Sequence, residues 1–388
     1  MFIDTAAAEG RVTMTVEGTD NQIYKIKYTR SHSVSSASAF SITGGEGEGL
    51  SHALPNIKVL GTGGTIASKG ASSHQTAGYE VDLTIEDLIQ LIPDLSTTCN
   101  LQYEQVMNLD LKEMGDEEVL SLYHKIVEDL PHYDGFVITH GTDTMEETAF
   151  FLQMTINTYK PIVLCGSMRP STAISSDGPM NLYQAIAIAA SQQSRNRGVL
   201  VALNDRIGSG FYITKSNANS LDTFKSNGQG YVGNFVNNEI HYYWPASKPL
   251  GVMYFNLESV QAPIQTLPKV CIIYAHQGFD NELIDVLVTQ FNAKGMVLAT
   301  MGAGSMNQTT NERLYHVTKN NKIPIIYSKR SMDGMVPTGS LPKIQGFDNA
   351  IASGYLNPQK SRILLQLCLL NGYSVSEIKG IFQGVYGG

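Results

Sequence analysis

Two threonines, Thr65 and Thr142, each follow an apolar segment and stand in a turn of small and polar residues. A threonine hydroxyl is a poor nucleophile at neutral pH, and it needs a neighbouring base or cation to become reactive. Lys215 is a candidate for that role, since a lysine buried beside hydroxyls and a carboxylate can move protons. Asp143 directly follows Thr142 and could hold this lysine or bind a substrate ammonium group. These residue types are those that nucleophilic hydrolysis of an amide requires.

The turn before Thr65, Gly61-Thr62-Gly63-Gly64, could also be a phosphate-binding loop. A dinucleotide-binding fingerprint would need glycine where Ile66 stands, and a phosphate-cradling loop would need Gly-Lys-Ser/Thr, which is absent. Small residues here are better explained by close approach of a substrate to backbone N–H groups that hold an oxyanion. His140 could be a base or a metal ligand, but no second histidine stands at ligand spacing, which favours a structural role. We therefore expect no metal and no cofactor.

Strands alternating with helices are predicted to position these residues. In the first half we expect strands at 57–61, 101–107, 135–139, 161–165 and 198–203, and helices at 84–92, 116–130, 144–157 and 179–194. A shorter series follows, with strands at 270–275, 295–300 and 323–327 and helices at 281–293, 311–320, 361–371 and 375–383. The alternation predicts parallel α/β sheets covered on both faces. In such sheets the chemistry lies at the carboxyl ends of the strands, where both threonines stand.

Two motifs together form a specific signature: Thr-Gly-Gly-Thr-Ile-Ala at 62–67 and Thr-His-Gly-Thr-Asp-Thr-Met-Glu-Glu-Thr-Ala at 139–149. With the run from Ser353 to Arg362, they resemble the bacterial-type L-asparaginase/glutaminase family, and more narrowly its cytosolic yeast branch. The resemblance extends from about Pro55 to Gly388. It implies a larger N-terminal, mainly parallel α/β domain followed by a smaller flavodoxin-like α/β domain.

The resemblance also assigns roles to individual residues. It implies that Thr65 is the nucleophile that forms an acyl-enzyme, and that Tyr79 closes over the site on the flexible loop between Ile66 and Val81. Thr142, Asp143 and Lys215 match a second triad that turnover requires. The substrate-binding positions are Asp110, Leu111, Lys112, Gly141, Thr142, Asp143 and Ser167, the last of them near the substrate amide, whereas Arg169 is expected to be structural.

The chain departs from the family pattern in the substrate pocket. The family usually binds the substrate carboxylate with a serine where this chain has Leu111, whose side chain cannot donate a hydrogen bond. Lys112 could supply charge there instead. Secreted bacterial members also bring a glutamate from a neighbouring subunit, yet no glutamate occurs between Arg313 and Lys360, and Ala303 replaces a family asparagine. These changes resemble the cytosolic eukaryotic branch, and they suggest a sharper preference for asparagine over glutamine.

Composition limits the partners and the compartment. The formal net charge is −8 and no basic run exceeds two residues, which argues against nucleic acid. No apolar window approaches the length of a membrane helix, and residues 1–11 lack the features of a secretory signal. Four cysteines, Cys99, Cys165, Cys271 and Cys368, have neither metal-ligand nor redox spacing and suit a reducing compartment. We expect a cytoplasmic protein that, by resemblance, forms a homotetramer.

The expected domain order has four parts. Residues 1–50 form an extension in which 11–29 alternate as a small hairpin and 31–49 read as a mobile linker, so that the extension is partly disordered. The N-terminal asparaginase-like domain spans 51–245, a proline-rich interdomain linker spans 246–268, and the C-terminal asparaginase-like domain spans 269–388.

The leading interpretation is an L-asparaginase, an amidohydrolase that releases L-aspartate and ammonia through a threonine acyl-enzyme. One alternative is a mixed glutaminase-asparaginase. A second is a subunit that supplies ammonia to a tRNA amidotransferase, because some asparaginase-like subunits carry an amino-terminal extension. A third alternative is a homologue without catalytic activity. The sequence argues against it, because it retains Thr65, Tyr79, Thr142, Asp143 and Lys215.

Overall fold

A computed structural model describes residues 2–4, 11–17, 23–29, 53–76, 78, 80–109, 113–249, 253–260 and 264–386. The chain divides into two compact units, Met1–Ala53 and Leu54–Gly388. The first contains an antiparallel sheet of three strands in the order β1-β2-β3, with bounds Phe2–Asp4, Arg11–Glu17 and Ile23–Thr29. The pairing of β2 with β3 confirms the predicted hairpin. The linker predicted over 31–49 lies outside the described residues.

An eight-stranded mixed sheet forms the centre of the second unit. In spatial order its strands are β15 (Glu239–Tyr242), β14 (Gly233–Val236), β11 (Arg206–Ser209), β10 (Val199–Leu203), β9 (Ile162–Cys165), β8 (Gly135–Thr139), β4 (Asn56–Gly63) and β7 (Asn100–Leu109). The five strands from β10 to β7 are mutually parallel, as predicted. Two short ribbons complete the domain: β5 (Ser68–Lys69) with β6 (Glu80–Val81), and β12 (Thr214–Lys215) with β13 (Phe224–Lys225).

Helices cover both faces of this sheet because its strands alternate apolar side chains between the two faces. α1 (Ile85–Ile89) and α4 (Gly178–Ala190) pack on one face, and α2 (Asp116–Asp129) and α3 (Met145–Thr155) pack on the other. Thr84 and Asp87 form a reciprocal capping box at the start of α1, and a proline occupies the first turn of α4.

The second domain is a three-layer α/β unit with four parallel strands in sequential order. The strands are β16 (Val270–Tyr274), β17 (Gly295–Thr300), β18 (Ile325–Lys329) and β19 (Ala350–Ala352), and the helices are α5 (Glu282–Thr289), α6 (Gln308–Thr318), α7 (Pro358–Leu370) and α8 (Val375–Tyr386). Helices α5 and α6 cover one face, and α7 and α8 cover the other. A flavodoxin sheet begins in the order 2-1-3, whereas the four strands here lie in sequential order. The domain therefore resembles flavodoxin in its three layers and not in its strand order.

The two α/β domains share one hydrophobic core. Phe150 and Phe151 of α3 belong to the same buried cluster as Leu364 and Leu367 of α7. All residues of α3 except Glu147 are buried, because the sheet covers one side of the helix and α7 covers another. The helix predicted over 144–157 is therefore buried on almost every side, as expected for a helix between two layers. Among the residues that the structure describes, no helix is both long and apolar enough to cross a lipid bilayer.

Candidate active site

Four adjacent parallel strands end at the same edge of the large sheet and deliver the predicted site turns there. In the order β7-β4-β8-β9, the pairs Gly63–Leu109, Gly61–Thr139 and Thr139–Cys165 lie opposite one another. Thr65 therefore follows β4 beside the turn of Thr142, which follows β8. The chain runs from β4 first to β7 on one side and later to β8 on the other, so the crevice between β4 and β8 is a topological switch point, the usual ligand site of an open α/β sheet.

Lys215 lies within hydrogen-bond distance of both Thr142 and Asp143. Its Nζ donates to Thr142 Oγ1 at 2.8 Å and to Asp143 Oδ1 at 2.6 Å, across 73 and 72 residues of chain. The lysine side chain is 14% exposed, whereas the aspartate side chain is 77% exposed. The ammonium group is thus held between a nearly buried hydroxyl and a carboxylate open to solvent. This arrangement can orient a proton shuttle and leaves one side of the carboxylate available to a ligand.

The backbone before Thr65 needs glycine for two reasons. Gly63 and Gly64 have φ values of 101° and 88°, which favour residues without a side chain. A Cβ on Gly63 would lie 2.3 Å from the carbonyl oxygen of Leu109, so β4 and β7 could not approach as they do. Gly64 N–H donates to the same carbonyl at 3.1 Å. The turn then enters the short 3-10 helix Thr65–Ala67, whose first residue, Thr65, is half-buried at the crevice.

His140 is a buried structural residue with both ring nitrogens occupied. Nδ1 lies 2.8 Å from the carbonyl oxygen of Gly141 and therefore carries the proton, while Nε2 accepts from the hydroxyl of Thr148 at 2.9 Å. Burial lowers the pKa of His140 from 6.5 to about 4, against the opposing effect of the Gly141 carbonyl. Its bonds fix the turn that carries Gly141 and Thr142. The described part of the chain holds no group of three or more His, Cys, Asp or Glu side chains arranged as metal ligands.

A neutral buried His140 makes stability depend on pH. The folded-state pKa lies below the unfolded value, so protons favour the unfolded chain, and stability falls as pH drops from about 6.5 towards about 4. Between pH 7 and pH 5 this single group should remove about 2 kcal/mol from the free energy of unfolding. His140→Gln keeps a donor and an acceptor but cannot titrate, so urea unfolding at both pH values should show a smaller loss in the variant. Equal losses in the two proteins would refute this assignment.

Ser167 stands after β9 with its hydroxyl engaged inside its own loop. It is fully buried, and its Oγ donates to the carbonyl oxygen of Arg169 at 2.7 Å. The backbone N–H groups of Met168 and Arg169 donate to the carboxylate of Asp177, and the Arg169 guanidinium donates to the Ser175 carbonyl at 3.0 Å. Arg169 thus has the structural contacts expected of it. Ser167 thus lies two residues after the end of β9, at the same edge of the sheet as the turns of Thr65 and Thr142.

Four predicted site residues, Tyr79, Asp110, Leu111 and Lys112, lie outside the described residues. Their neighbours are described and lie at the expected edge. Ribbon β5–β6 closes the base of the loop that carries position 79, through the pairs Ser68–Val81 and Lys69–Glu80. Strand β7 ends at Leu109 beside Gly63, directly before positions 110–112.

Two residues near the cluster received no role from the sequence. Asn357 of the second domain donates to the carboxylate of Glu146, four residues after Thr142 in the first turn of α3. Lys360 donates to backbone carbonyls just before Lys215. Both residues lie in the run 353–362, which resembles the family. The pair Asn357-Pro358 indicates the start of a helix, but it does not indicate a contact between the two domains.

Comparison with known proteins gives consistent results for both α/β domains. The family model "Asparaginase, N-terminal" matches residues 56–248, and "Glutaminase/Asparaginase C-terminal domain" matches residues 269–382. The chain is 52% identical over 340 residues to L-asparaginase 2-3 of Saccharomyces cerevisiae, covering 86% of this chain and 91% of that protein. It is 40% identical over 340 residues to L-asparaginase 2 of Escherichia coli, covering 86% and 94%.

A solved structure agrees with these sequence matches. The probable cytoplasmic L-asparaginase from Campylobacter jejuni aligns with a TM-score of 0.77 at 35% sequence identity, covering 84% of this chain and 99% of that one.

Proposed function

This chain belongs to the asparaginase family, and from that premise we propose that it hydrolyses the side-chain amide of L-asparagine to L-aspartate and ammonia. The observation that carries the proposal is the cluster of Lys215, Thr142 and Asp143 at the switch point of the large sheet. The yeast and Escherichia coli relatives named above are L-asparaginases, which supports an amidohydrolase acting on a small molecule.

The proposed reaction has two stages with Thr65 as the nucleophile. The Thr65 hydroxyl oxygen attacks the side-chain amide carbon, and its proton passes to the leaving nitrogen, so that ammonia departs and an ester remains. Water then attacks the ester, and its proton returns to the Thr65 oxygen as aspartate leaves. Thr142 and Lys215 orient the water and transfer its proton, while backbone N–H groups of the glycine turn stabilise the oxyanion.

The remaining assigned residues surround this chemistry in the proposal. The carboxylate of Asp143, open on one side, binds the substrate ammonium group. Gly141 and Ser167 form the floor, Tyr79 closes the pocket, and Asp110, Leu111 and Lys112 receive the substrate carboxylate. No observation favours an ammonia-supplying subunit of a tRNA amidotransferase. The assay described next tests whether L-glutamine is a second substrate.

Ammonia release by the purified chain, with no partner added, tests the proposal. L-asparagine, L-glutamine and D-asparagine are each supplied over a range of concentrations, and L-aspartate is measured beside ammonia. We expect equimolar aspartate and ammonia from L-asparagine and a much lower kcat/KM for L-glutamine. Comparable values for both amides would identify a mixed enzyme, and no release from any of them would overturn the proposal.

We further propose that the protein is located in the cytoplasm and that residues 246–268 link its two α/β domains. We also propose that the active form is a homotetramer. On the second domain, Met332 and Tyr355 leave 55% and 49% of their surface exposed, and Ala303 is exposed as well. In a two-fold dimer such surfaces are buried together, and each loop can complete the other subunit's site. Light scattering paired with an activity assay should show activity falling as the protein is diluted to monomer. A fully active monomer would contradict the shared site.

A further inference from the structure

The first turn of α7 contacts both segments that hold the candidate catalytic cluster. Asn357, the N-cap of this helix, donates from Nδ2 to Glu146 Oε2 at 3.0 Å and to Thr214 Oγ1 at 3.4 Å. Glu146 follows the turn of Thr142 and Asp143, and Thr214 immediately precedes Lys215. One amide group of the second domain thus joins the two chain segments whose side chains must meet, although these segments are about seventy residues apart in the sequence.

Lys360, one turn into the same helix, holds the second of these segments by its backbone. Its Nζ donates to the carbonyl oxygens of Phe211 at 2.9 Å and Ile213 at 2.6 Å. Both carbonyls lie within four residues of Lys215. Phe211 lies in the turn that precedes β12 and Ile213 directly precedes that strand, so a chain held at both carbonyls has little freedom at 215, and the position of the Lys215 side chain depends on this contact.

Burying these groups is costly, which indicates that they do more than fill space. Lys360 is 2% exposed and Glu146 is 4% exposed. Desolvation lowers the pKa of Lys360 to about 8, although the nearby Glu146 carboxylate opposes that shift. The amine is therefore still mostly protonated at neutral pH and can donate to both carbonyls. An apolar residue would fill the same volume without this penalty, but it could not hold two backbone oxygens.

We propose that Asn357 and Lys360 are positioning residues for the amidohydrolase reaction: from the second domain they fix the distance between Lys215 and the turn of Thr142 and Asp143. This proposal rests on the proposed function. Neither residue contacts the reacting atoms in this assignment. Each acts through Lys215 or through the turn after β8, and a displacement of about 1 Å at a catalytic group can reduce turnover up to about a hundredfold.

Asn357→Ser separates positioning from helix capping. Asn357 Oδ1 also accepts from the backbone N–H of Lys360 at 2.9 Å, and serine is itself a good N-cap, so the variant keeps the cap and loses only the amide donor. At a temperature where circular dichroism shows full folding, we expect kcat for L-asparagine to fall about tenfold, with KM changed less than about twofold. Thr214→Val removes the other end of the contact without touching the cap and should shift kcat in the same direction.

Asn281→Ser is the matched control. Asn281 is the N-cap of α5, and its side chain accepts from the Thr310 hydroxyl of α6 at 2.7 Å, on the far face of the second sheet. The same substitution there breaks a contact between elements away from the cluster, and kcat should stay within about twofold of wild type. If Asn357→Ser keeps kcat within twofold of wild type, or if Asn281→Ser loses as much, the proposal is wrong.

Hydrogen exchange tests Lys360 without relying on activity. In Lys360→Met, peptides covering 211–216 should take up deuterium faster than in wild type, because the segment loses two anchors and the N–H groups of Ile213 and Ser216 break their backbone hydrogen bonds more often. Lys160→Met is the comparison, because this lysine likewise donates to two backbone carbonyls, those of Leu130 and Tyr133, and should affect peptides there instead. Unchanged exchange over 211–216 in Lys360→Met would overturn its role. A wild-type protein that releases no ammonia would refute the proposed function. It would not affect the exchange experiment, which measures how Lys360 holds residues 211–216 and does not require turnover.

Discussion

Lys215→Met is expected to lower kcat for L-asparagine by between about 10² and 10⁴-fold, the usual contribution of a positioned proton-transfer group. Methionine has a similar length but cannot donate to Thr142 Oγ1 or Asp143 Oδ1, which now lie 2.8 and 2.6 Å from the ammonium nitrogen. The fold should persist, because Asp143 is 77% exposed and water can replace its lost partner. The measurement is kcat and KM from steady-state ammonia release, with circular dichroism to verify folding.

Lys225→Met provides the control for this substitution. Lys225 lies on β13, directly opposite Thr214 of β12, and pairs with Asp222 at the surface of the same ribbon. It contacts neither Thr142 nor Asp143 in the structure, so its loss should change kcat by less than about twofold. A Lys215→Met enzyme that keeps more than a tenth of the wild-type kcat would remove Lys215 from the mechanism.

The carboxyl-edge location of the site follows from local sequence patterns. Apolar strands ending in small-residue turns placed Thr65 and Thr142 at strand ends, and the register of β4 with β8 puts those ends side by side. This prediction requires only that the alternation of strands and helices is identified, because the carboxyl ends of parallel strands lie at the same edge of a sheet. Lys215 is different, because it lies on a two-residue strand that periodicity cannot reveal. The family resemblance suggested its role, and the structure brings its ammonium group to Thr142 and Asp143.

The antiparallel part of the large sheet was not predicted, although the chain contains a signal for it. β10 and β11 are joined by Asn204 and Asp205, and β14 and β15 are joined by Asn237 and Asn238. All four residues have positive φ, from 50° to 67°, as both central residues of a type I′ hairpin turn require. Paired Asn and Asp residues between short apolar runs are thus the feature that would have identified these hairpins.

Predictions in the second domain failed where strands were short or shifted. The expected strand at 323–327 begins two residues later, at Ile325, because Pro324 cannot donate a ladder hydrogen bond. Strand β19 has only three residues, 350–352, which is too short to show a period. The contacts of Asn357 and Lys360 were also missed, since they depend on α7 packing against α3, and no local pattern encodes that packing.

Thr65→Ala is expected to reduce kcat by at least about 10³-fold, because it removes the oxygen to which the acyl group would be bonded. The loss of one hydroxyl and one methyl group from a half-buried residue should cost little stability, since Gly63 and Gly64 set the backbone of the turn. Thr65→Ser retains a hydroxyl and should keep measurable turnover. Mass spectrometry of enzyme quenched during turnover should detect an acyl adduct on the peptide that contains Thr65 in wild type and none in Thr65→Ala.

Thr62→Val, near the end of β4 and just before the same turn, should lose stability and keep turnover. Thr62 is fully buried and its Oγ1 donates to the carbonyl oxygen of Thr139 at 2.7 Å, which links β4 to β8. Valine has the same shape but leaves that carbonyl without this donor, at a cost of about 1–3 kcal/mol in the free energy of unfolding. The folded Thr62→Val enzyme should nevertheless keep kcat near wild type, whereas Thr65→Ala should keep stability and lose turnover. If Thr65→Ala retains more than a tenth of wild-type kcat, the nucleophile must be sought elsewhere at this edge of the sheet, first at Thr142, whose hydroxyl lies 2.8 Å from Lys215 Nζ.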